Sequence, residues 1–188
     1  MNKKSPIECR PVLLPTGFTL IELITAMAVA GILLALAIPS FNETIRNNRL
    51  AAAVNNLSSA IHLARMEAIR RNQRVTLCKS NTASSCANSN GWEQGWIVFV
   101  DTGNYGTREA GEEILRSQGT PHNTLTISGN NNVADYISFV PSGQAKMASG
   151  AFQSGTLKIC DDRTGNIGRE LVLIGSGRLR LVRGASCP

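Results

Sequence analysis

Residues 18–38 read FTLIELITAMAVAGILLALAI, an apolar run in which Glu22 is the only charged residue. At about 1.5 Å of rise per residue, a helix of this length spans roughly 30 Å, the hydrocarbon thickness of a bilayer. Glu22 is out of keeping with a plain anchor. A carboxylate in lipid costs on the order of several kcal/mol unless it is paired or protonated, so such a residue is a functional candidate. Pro39 follows the run, where it can end or bend the helix. Lys3, Lys4 and Arg10 ahead of the run favour a cytoplasmic N-terminus, and Arg46 and Arg49 beyond it weaken that asymmetry. Two ordinary readings stand beside a functional one. Ala35-Leu36-Ala37 is an A-x-A site that would release a soluble domain starting at Ile38. An uncleaved anchor would keep Met1. The length of the run and Glu22 within it count against the first.

Beyond Pro39, Leu50, Val54, Leu57, Ile61, Ala64 and Ala68 recur at alternating intervals of four and three. That is the apolar stripe of an amphipathic helix. Asn55, Asn56, Ser59, His62 and Arg70 fall off the stripe, Glu67 and Arg71 are i,i+4 partners, and the helix is expected to end near Asn72. The period then becomes strand-like. Strands are expected at 74–79, 95–101, 113–117, 124–128, 136–140, 156–160, 171–174 and 178–182, the last two joined by the turn Gly175-Ser176-Gly177.

The chain carries five cysteines. With Cys9 set aside near the start, Cys78, Cys86, Cys160 and Cys187 form an even set suited to an oxidising compartment. Three pairings are possible; the local one is Cys78–Cys86 with Cys160–Cys187. No C-x-x-C occurs, so a zinc site is not expected. In 101–112, Asp101, Gly106 and Glu112 fall at positions one, six and twelve of an EF-hand-like loop, but Gly103 and Tyr105 stand where oxygen ligands belong. The segment reads as a hairpin loop without metal. There is no phosphate-binding Gly-rich signature, no G-x-S-x-G elbow and no H-E-x-x-H. The expectation is a non-enzyme with no cofactor.

The net charge of +6 is unevenly placed. Residues 163–188 hold Arg163, Arg169, Arg178, Arg180 and Arg183 against Glu170. A local excess of this kind attracts phosphate or other acidic polymers, or it is simply a solvated strand. On a strand, Arg178 and Arg180 share a face about 6.6 Å apart, near the spacing of successive phosphates, while Leu179 and Leu181 face a core. Arg183 has the opposite parity unless a bulge intervenes. The bland alternative has these arginines bracing neighbouring subunits or Asp161 and Asp162.

Gly17-Phe18-Thr19-Leu20-Ile21-Glu22-Leu23 resembles the cleavage signature of type IV pilins and type II secretion pseudopilins. The resemblance implies cleavage between Gly17 and Phe18 by a prepilin peptidase, methylation of the new Phe18 amine, and pairing of Glu22 with the N-terminal amine of a neighbouring subunit. Trp92-Glu93-Gln94-Gly95-Trp96-Ile97-Val98-Phe99-Val100-Asp101, followed by a polar loop and Glu113-Ile114-Leu115-Arg116, resembles the GspH/FimT family of minor pilins and pseudopilins. The implied fold is α+β and pilin-like. A long N-terminal helix, membrane-spanning in its first half and amphipathic in its second, packs on an antiparallel β body of two sheets. The implied organisation is a cleaved leader at 1–17, a transmembrane or filament-core helix at 18–38, an amphipathic helix at 39–73 and a β-rich domain at 74–188. The implied partners are other major and minor pilins, the peptidase and the inner-membrane assembly machinery. The implied location is the inner membrane before assembly and the pilus surface after it, with the β domain facing the periplasm. Gly177-Arg178-Leu179-Arg180 also resembles the C-terminal element of FimT-type minor pilins linked to DNA uptake. That resemblance implies double-stranded DNA as a partner held by Arg178 and Arg180, with Arg183 in support. A type II secretion pseudopilin with no DNA role shares the same precursor signature.

Overall fold

The computed structural model describes residues 17–188. The leader calls on 1–16, with Cys9, Lys3, Lys4 and Arg10, lie outside the described residues, as do the side chains of residues 36–40. Two compact units divide the chain, one ending at Glu43 and the other comprising Thr44–Pro188. The helix α1 (Leu20–Arg71), 52 residues long, belongs to both and runs through position 39 without ending there. Among the described residues, no helix is long and apolar enough to cross a membrane.

Both ends of α1 are capped by local chemistry. At the start, the Glu22 backbone N–H donates to Thr19 Oγ1, and the Thr19 N–H donates back to the Glu22 carboxylate. This reciprocal T-x-x-E box satisfies two donors that a helix start otherwise leaves open. At the end, Asn72 takes the left-handed conformation (φ 53°). The Gln73 N–H bonds the Ala68 carbonyl and the Asn72 N–H bonds the Ile69 carbonyl, the paired bonds of a Schellman stop.

The second unit is built on the α1 stripe. Leu50, Val54, Leu57, Ile61, Ala64 and Ala68 are all buried, as the spacing predicts, and Ala53 and Ala60 join them. Around this stripe stand eight strands: β1 (Val75–Lys79), β2 (Gly95–Val100), β3 (Ile114–Gly119), β4 (Thr126–Gly129), β5 (Tyr136–Phe139), β6 (Gly155–Cys160), β7 (Gly165–Leu173) and β8 (Leu179–Cys187). They form two four-stranded antiparallel sheets, ordered β3-β2-β1-β5 and β4-β6-β7-β8. Val75, Leu77, Trp96, Val98 and Phe139 from the first sheet share one core with Ile127, Leu157, Ile159, Leu171 and Leu173 from the second and with the stripe. The opposite face of the first sheet has its own small core of Cys78, Ile97 and Phe99, with Cys86, Ile114 and Tyr136 against it.

Every expected strand forms, but β7 and β8 are longer than the hydrophobic pattern suggests, at nine residues each. The extra length lacks strand alternation of apolar residues; main-chain pairing carries it, with burial confined to Gly168, Ala185 and the disulfide-bonded Cys187. The expectation that Leu181 faces the core fails: Leu179 packs against the core, whereas Leu181 is 42% exposed. Strand β8 is an edge, and Leu181 lies in its exposed middle stretch, before burial resumes at Ala185 and Cys187.

Both local disulfides are present. Cys78–Cys86 pins the loop after β1 onto the small core. Cys160–Cys187 links β6 to β8, which are separated by β7 in the sheet, with Cα atoms only 5.8 Å apart. The crossing is made at Gly168 of β7. There a Cβ would lie 2.7 Å from Cys187 Sγ and 2.9 Å from the Ala185 carbonyl oxygen. The missing side chain thus lets the bridge lie over the middle strand. Closing this loop stabilises the domain by about 3–4 kcal/mol through the unfolded chain. Gly168→Ala is expected to lower stability by about 1–3 kcal/mol, read as a lower denaturation midpoint under non-reducing conditions. An unchanged midpoint would show that the bridge does not need the gap.

Candidate functional site

The first unit offers an apolar surface. Thr19 and the capped turn place Phe18 ahead of the helix, 85% exposed, and open space surrounds Gly17. From there Leu20, Ile21, Leu23, Ile24, Met27 and Leu34 are all exposed on successive turns. Residues at intervals of one, two, three and four cannot share one face at 3.6 residues per turn, so the helix is apolar all round. The sole charge, Glu22, is held close to the helix start by Thr19, whose hydroxyl and N–H lie 3.5 and 3.4 Å from its carboxylate. The T-x-x-E spacing of this box was legible in the sequence and is an addition to the role expected of Glu22 alone.

The second candidate is the free edge of the β4-β6-β7-β8 sheet. In the β7–β8 register, Val172 opposes Arg180 and Glu170 opposes Val182, and the Ile174 N–H donates to the Arg178 carbonyl. Arg178, Ile174, Arg180, Val172 and Val182 therefore belong to one face, the one turned from the core. They flank a cleft of about 380 Å³ lined by Val172, Ile174, Arg178, Leu179 and Arg180. Arg183 opposes Arg169 and takes the other face. The register shift that could realign Arg183 comes one residue later, where Gly184 (φ 83°) is the extra residue opposite the Arg169–Gly168 step. The structure thus brings Arg178 and Arg180 together and leaves Arg183 apart.

The bracing alternative within the chain is corrected by the acids themselves. Asp161 is held by Arg163 at 2.6 Å, and Asp162 by Arg46 of α1 at 3.0 Å. Among the described residues, the side chains of Arg178, Arg180 and Arg183 have no ion pair. The turn that precedes Arg178 is fixed from the helix: Arg65 donates to the carbonyls of Gly143 and Ser176. Gly177 has φ 81° and its Cα abuts the Gly143 carbonyl, so a larger residue would lift the turn.

The loop at 101–112 is a self-contained hydrogen-bonded hairpin connection. The Glu112 carboxylate accepts from the N–H groups of Thr102, Gly103 and Glu109. Asp101 accepts from Thr76 and from the Gly106 N–H, and its second oxygen is buried without a partner. Burial opposes ionisation of both carboxyls. At Asp101 it prevails and raises the pKa; at Glu112 the three N–H donors outweigh it and the pKa is lowered. Among the described residues no cluster of His, Cys, Asp or Glu could hold a metal ion. At Asp161, burial is likewise outweighed by the hydrogen bonds of Arg163, and the carboxyl is held below its ordinary range. At the end of α1, hydrogen bonds from Arg70 and Arg71 bring Glu67 from 4.5 to about 2, and Arg71 also binds Glu113 of the segment leading into β3.

The sequence profile of the family described as Type II transport protein GspH matches residues 53–181, which include most of the helix stripe, strands β1–β7, the arginine turn and the start of β8. The chain belongs to the GspH family. It is a protein of the type IV minor pilin or type II pseudopilin kind, and that family places it at a pilus or facing the periplasm. Members and relatives agree in sequence and fold. Pilin-like protein PilA1 of Thermus thermophilus is 34% identical over 100 residues, which are 52% of this chain and 56% of that protein, so the match spans just over half its length. Type IV major fimbrial protein FimA of Dichelobacter nodosus is 32% identical over 137 residues, covering 66% of this chain and 82% of that protein. The minor pilin FimU of Pseudomonas aeruginosa superimposes with a TM-score of 0.58 at 21% identity, over 75% of this chain and 93% of that one. The minor pseudopilin EpsH of Vibrio cholerae gives 0.50 at 14% identity, over 72% and 97%. At such identities these two likenesses concern the GspH-family fold alone.

The Glu67 pair sets a pH dependence for this GspH-family domain. Its folded pKa lies below its unfolded one, so its contribution is complete above about pH 4.5 and is lost as pH falls toward 2. Glu67→Gln is expected to reduce the loss of thermal stability between those values, measured by circular dichroism melts. Parallel curves for variant and parent would refute the assignment.

Proposed function

We propose that this chain is a minor pilin that joins a type IV pilus through residues 18–38 and presents its arginine edge to DNA. The observation that carries the first part is the helix exposed and apolar on every side, with Glu22 capped at its start. Such a surface is stable only in lipid or against other helices. The full run 18–38, including the residues whose side chains lie outside the described set, has the length for a bilayer. In this reading a prepilin peptidase cuts after Gly17, and the new Phe18 amine is methylated and meets the Glu22 carboxylate of a neighbouring pilin. Two opposite charges then enter the apolar layer together. The chain acts by assembly and binding, with no catalytic step, and the inner-membrane machinery moves it from membrane to pilus.

Support for DNA comes from the two unpaired guanidiniums on one face. Their strand spacing of about 6.6 Å suits neighbouring backbone phosphates. Such contacts carry no base information, so duplex DNA would be held without sequence preference, as uptake in natural transformation requires. A single copy binds weakly, and several copies on one pilus add avidity. The alternative is a pseudopilin of a type II secretion system with no DNA role, favoured by the family's description. The identity to FimA across 82% of that fimbrial protein favours the pilus.

Glu22→Ala is expected to leave precursor cleavage intact and to reduce incorporation into sheared pili on immunoblots. Normal incorporation would count against charge pairing. The detergent-solubilised mature chain is expected to shift duplex DNA at low salt with a log–log salt slope of about −2. Arg178→Ala with Arg180→Ala should abolish the shift. A parent protein that shifts no DNA would end the DNA reading and leave the pilin reading standing.

A further inference from the structure

The β7–β8 turn has an aromatic neighbour that lies far from it in sequence. Phe152 precedes β6 and is 62% exposed. It packs on the turn: a Cβ at Gly175 would stand 2.9 Å from Phe152 Cβ and 3.1 Å from its Cδ1. Gly175 itself is held there by its carbonyl, which accepts from the Ala145 N–H. Lys146 Nζ lies 5.2 Å from the ring centroid, and the two residues are paired by the Lys146–Phe152 bridge.

The turn thus has a hollow on each flank. One, of about 380 Å³, is lined by Gln144, Phe152, Ser154, Gly175 and Ser176. The other is the arginine cleft, floored by Val172 and by Ile174, which is 45% exposed. Ile174 and Gly175 are consecutive, so the two hollows border the same turn from its two flanks. The result is an alternation of cations and apolar surface: Lys146, Phe152, Ile174, Arg178, Val172, Arg180.

We propose that this alternation is a binding track for single-stranded nucleic acid, with Phe152 as the stacking platform for an unpaired base. The inference rests on the DNA reading of the arginine edge and narrows it. A duplex keeps its base faces stacked on one another and offers this surface only phosphates. Phe152 and the aliphatic floor would then stay wet. An unpaired strand offers phosphates about one β-strand repeat apart to Arg178 and Arg180. It also offers free base faces, which gain about 1–3 kcal/mol each on an aromatic ring. The charge pattern matches, because Arg178 and Arg180 have no ion pair among the described residues, and Lys146 has only the ring.

The test compares a short fluorescent oligodeoxythymidine with a duplex of equal length, each titrated by anisotropy into the detergent-solubilised mature chain over a salt series. The expected result is tighter binding of the single strand. Phe152→Ala should weaken single-strand binding about tenfold with an unchanged salt slope, and should leave duplex binding alone. Phe152→Trp should restore the single-strand affinity, and Phe152→Leu, which keeps apolar volume, should not. Arg178→Ala with Arg180→Ala should flatten the salt slope for both probes. If the duplex binds as well as the single strand and Phe152→Ala changes neither, the stacking track is overturned while the DNA reading stands. If neither probe binds, both fall.

Discussion

The stripe from Leu50 to Ala68 on α1 is the seam on which this molecule closes. Both sheets bury their inner faces against it, and the small residues Ala53, Ala60, Ala64 and Ala68 let main chains come close. The same helix positions the candidate site. Arg65 holds the turn ahead of Arg178 through the carbonyls of Gly143 and Ser176. Arg46 of the same helix holds Asp162 in the loop ahead of β7. Loosening the seam would therefore loosen the site as well as the core.

Two kinds of surface on one helix explain the division of labour. From Leu20 to Leu34 the exposed side chains are apolar on every side apart from Glu22 and Thr25, the surface that the proposed reading assigns to lipid or filament. From Leu50 onward the side chains are apolar on one stripe, which is buried under the two sheets. Glu22 belongs to the first kind and is held by Thr19, which keeps the carboxylate at the start of the helix. The β domain in turn displays its charge at an edge strand, where unpaired arginines also discourage edge-to-edge pairing.

Much of this was legible in the sequence, because the determining signals are local. The period of the helix stripe, the alternation in the strands, the T-x-x-E box and the cysteine spacing each report on neighbours within a few residues. The pilin and pseudopilin likeness was visible in residues 17–23, and the GspH/FimT likeness in residues 92–101 and 113–116. What escaped depends on distant contacts. The extensions of β7 and β8, broken by Gly168 and Gly184, have no continuous hydrophobic pattern to announce them. Leu181 keeps the parity of a core residue, yet on the edge strand it is left exposed. Gly168 matters only because Cys160 and Cys187 must meet across it. Phe152 gives no sign of belonging to the arginine turn until the Ala145–Gly175 hydrogen bond brings the two together.

The central claim is that residues 18–38 remain with the β domain and work as filament helix after a cut just ahead of Phe18. The most direct measurement is intact mass with N-terminal sequencing of the protein recovered from membranes and sheared pili. The account predicts a chain beginning at a methylated Phe18 in both fractions. A chain beginning at Ile38, or one retaining Met1, would contradict it.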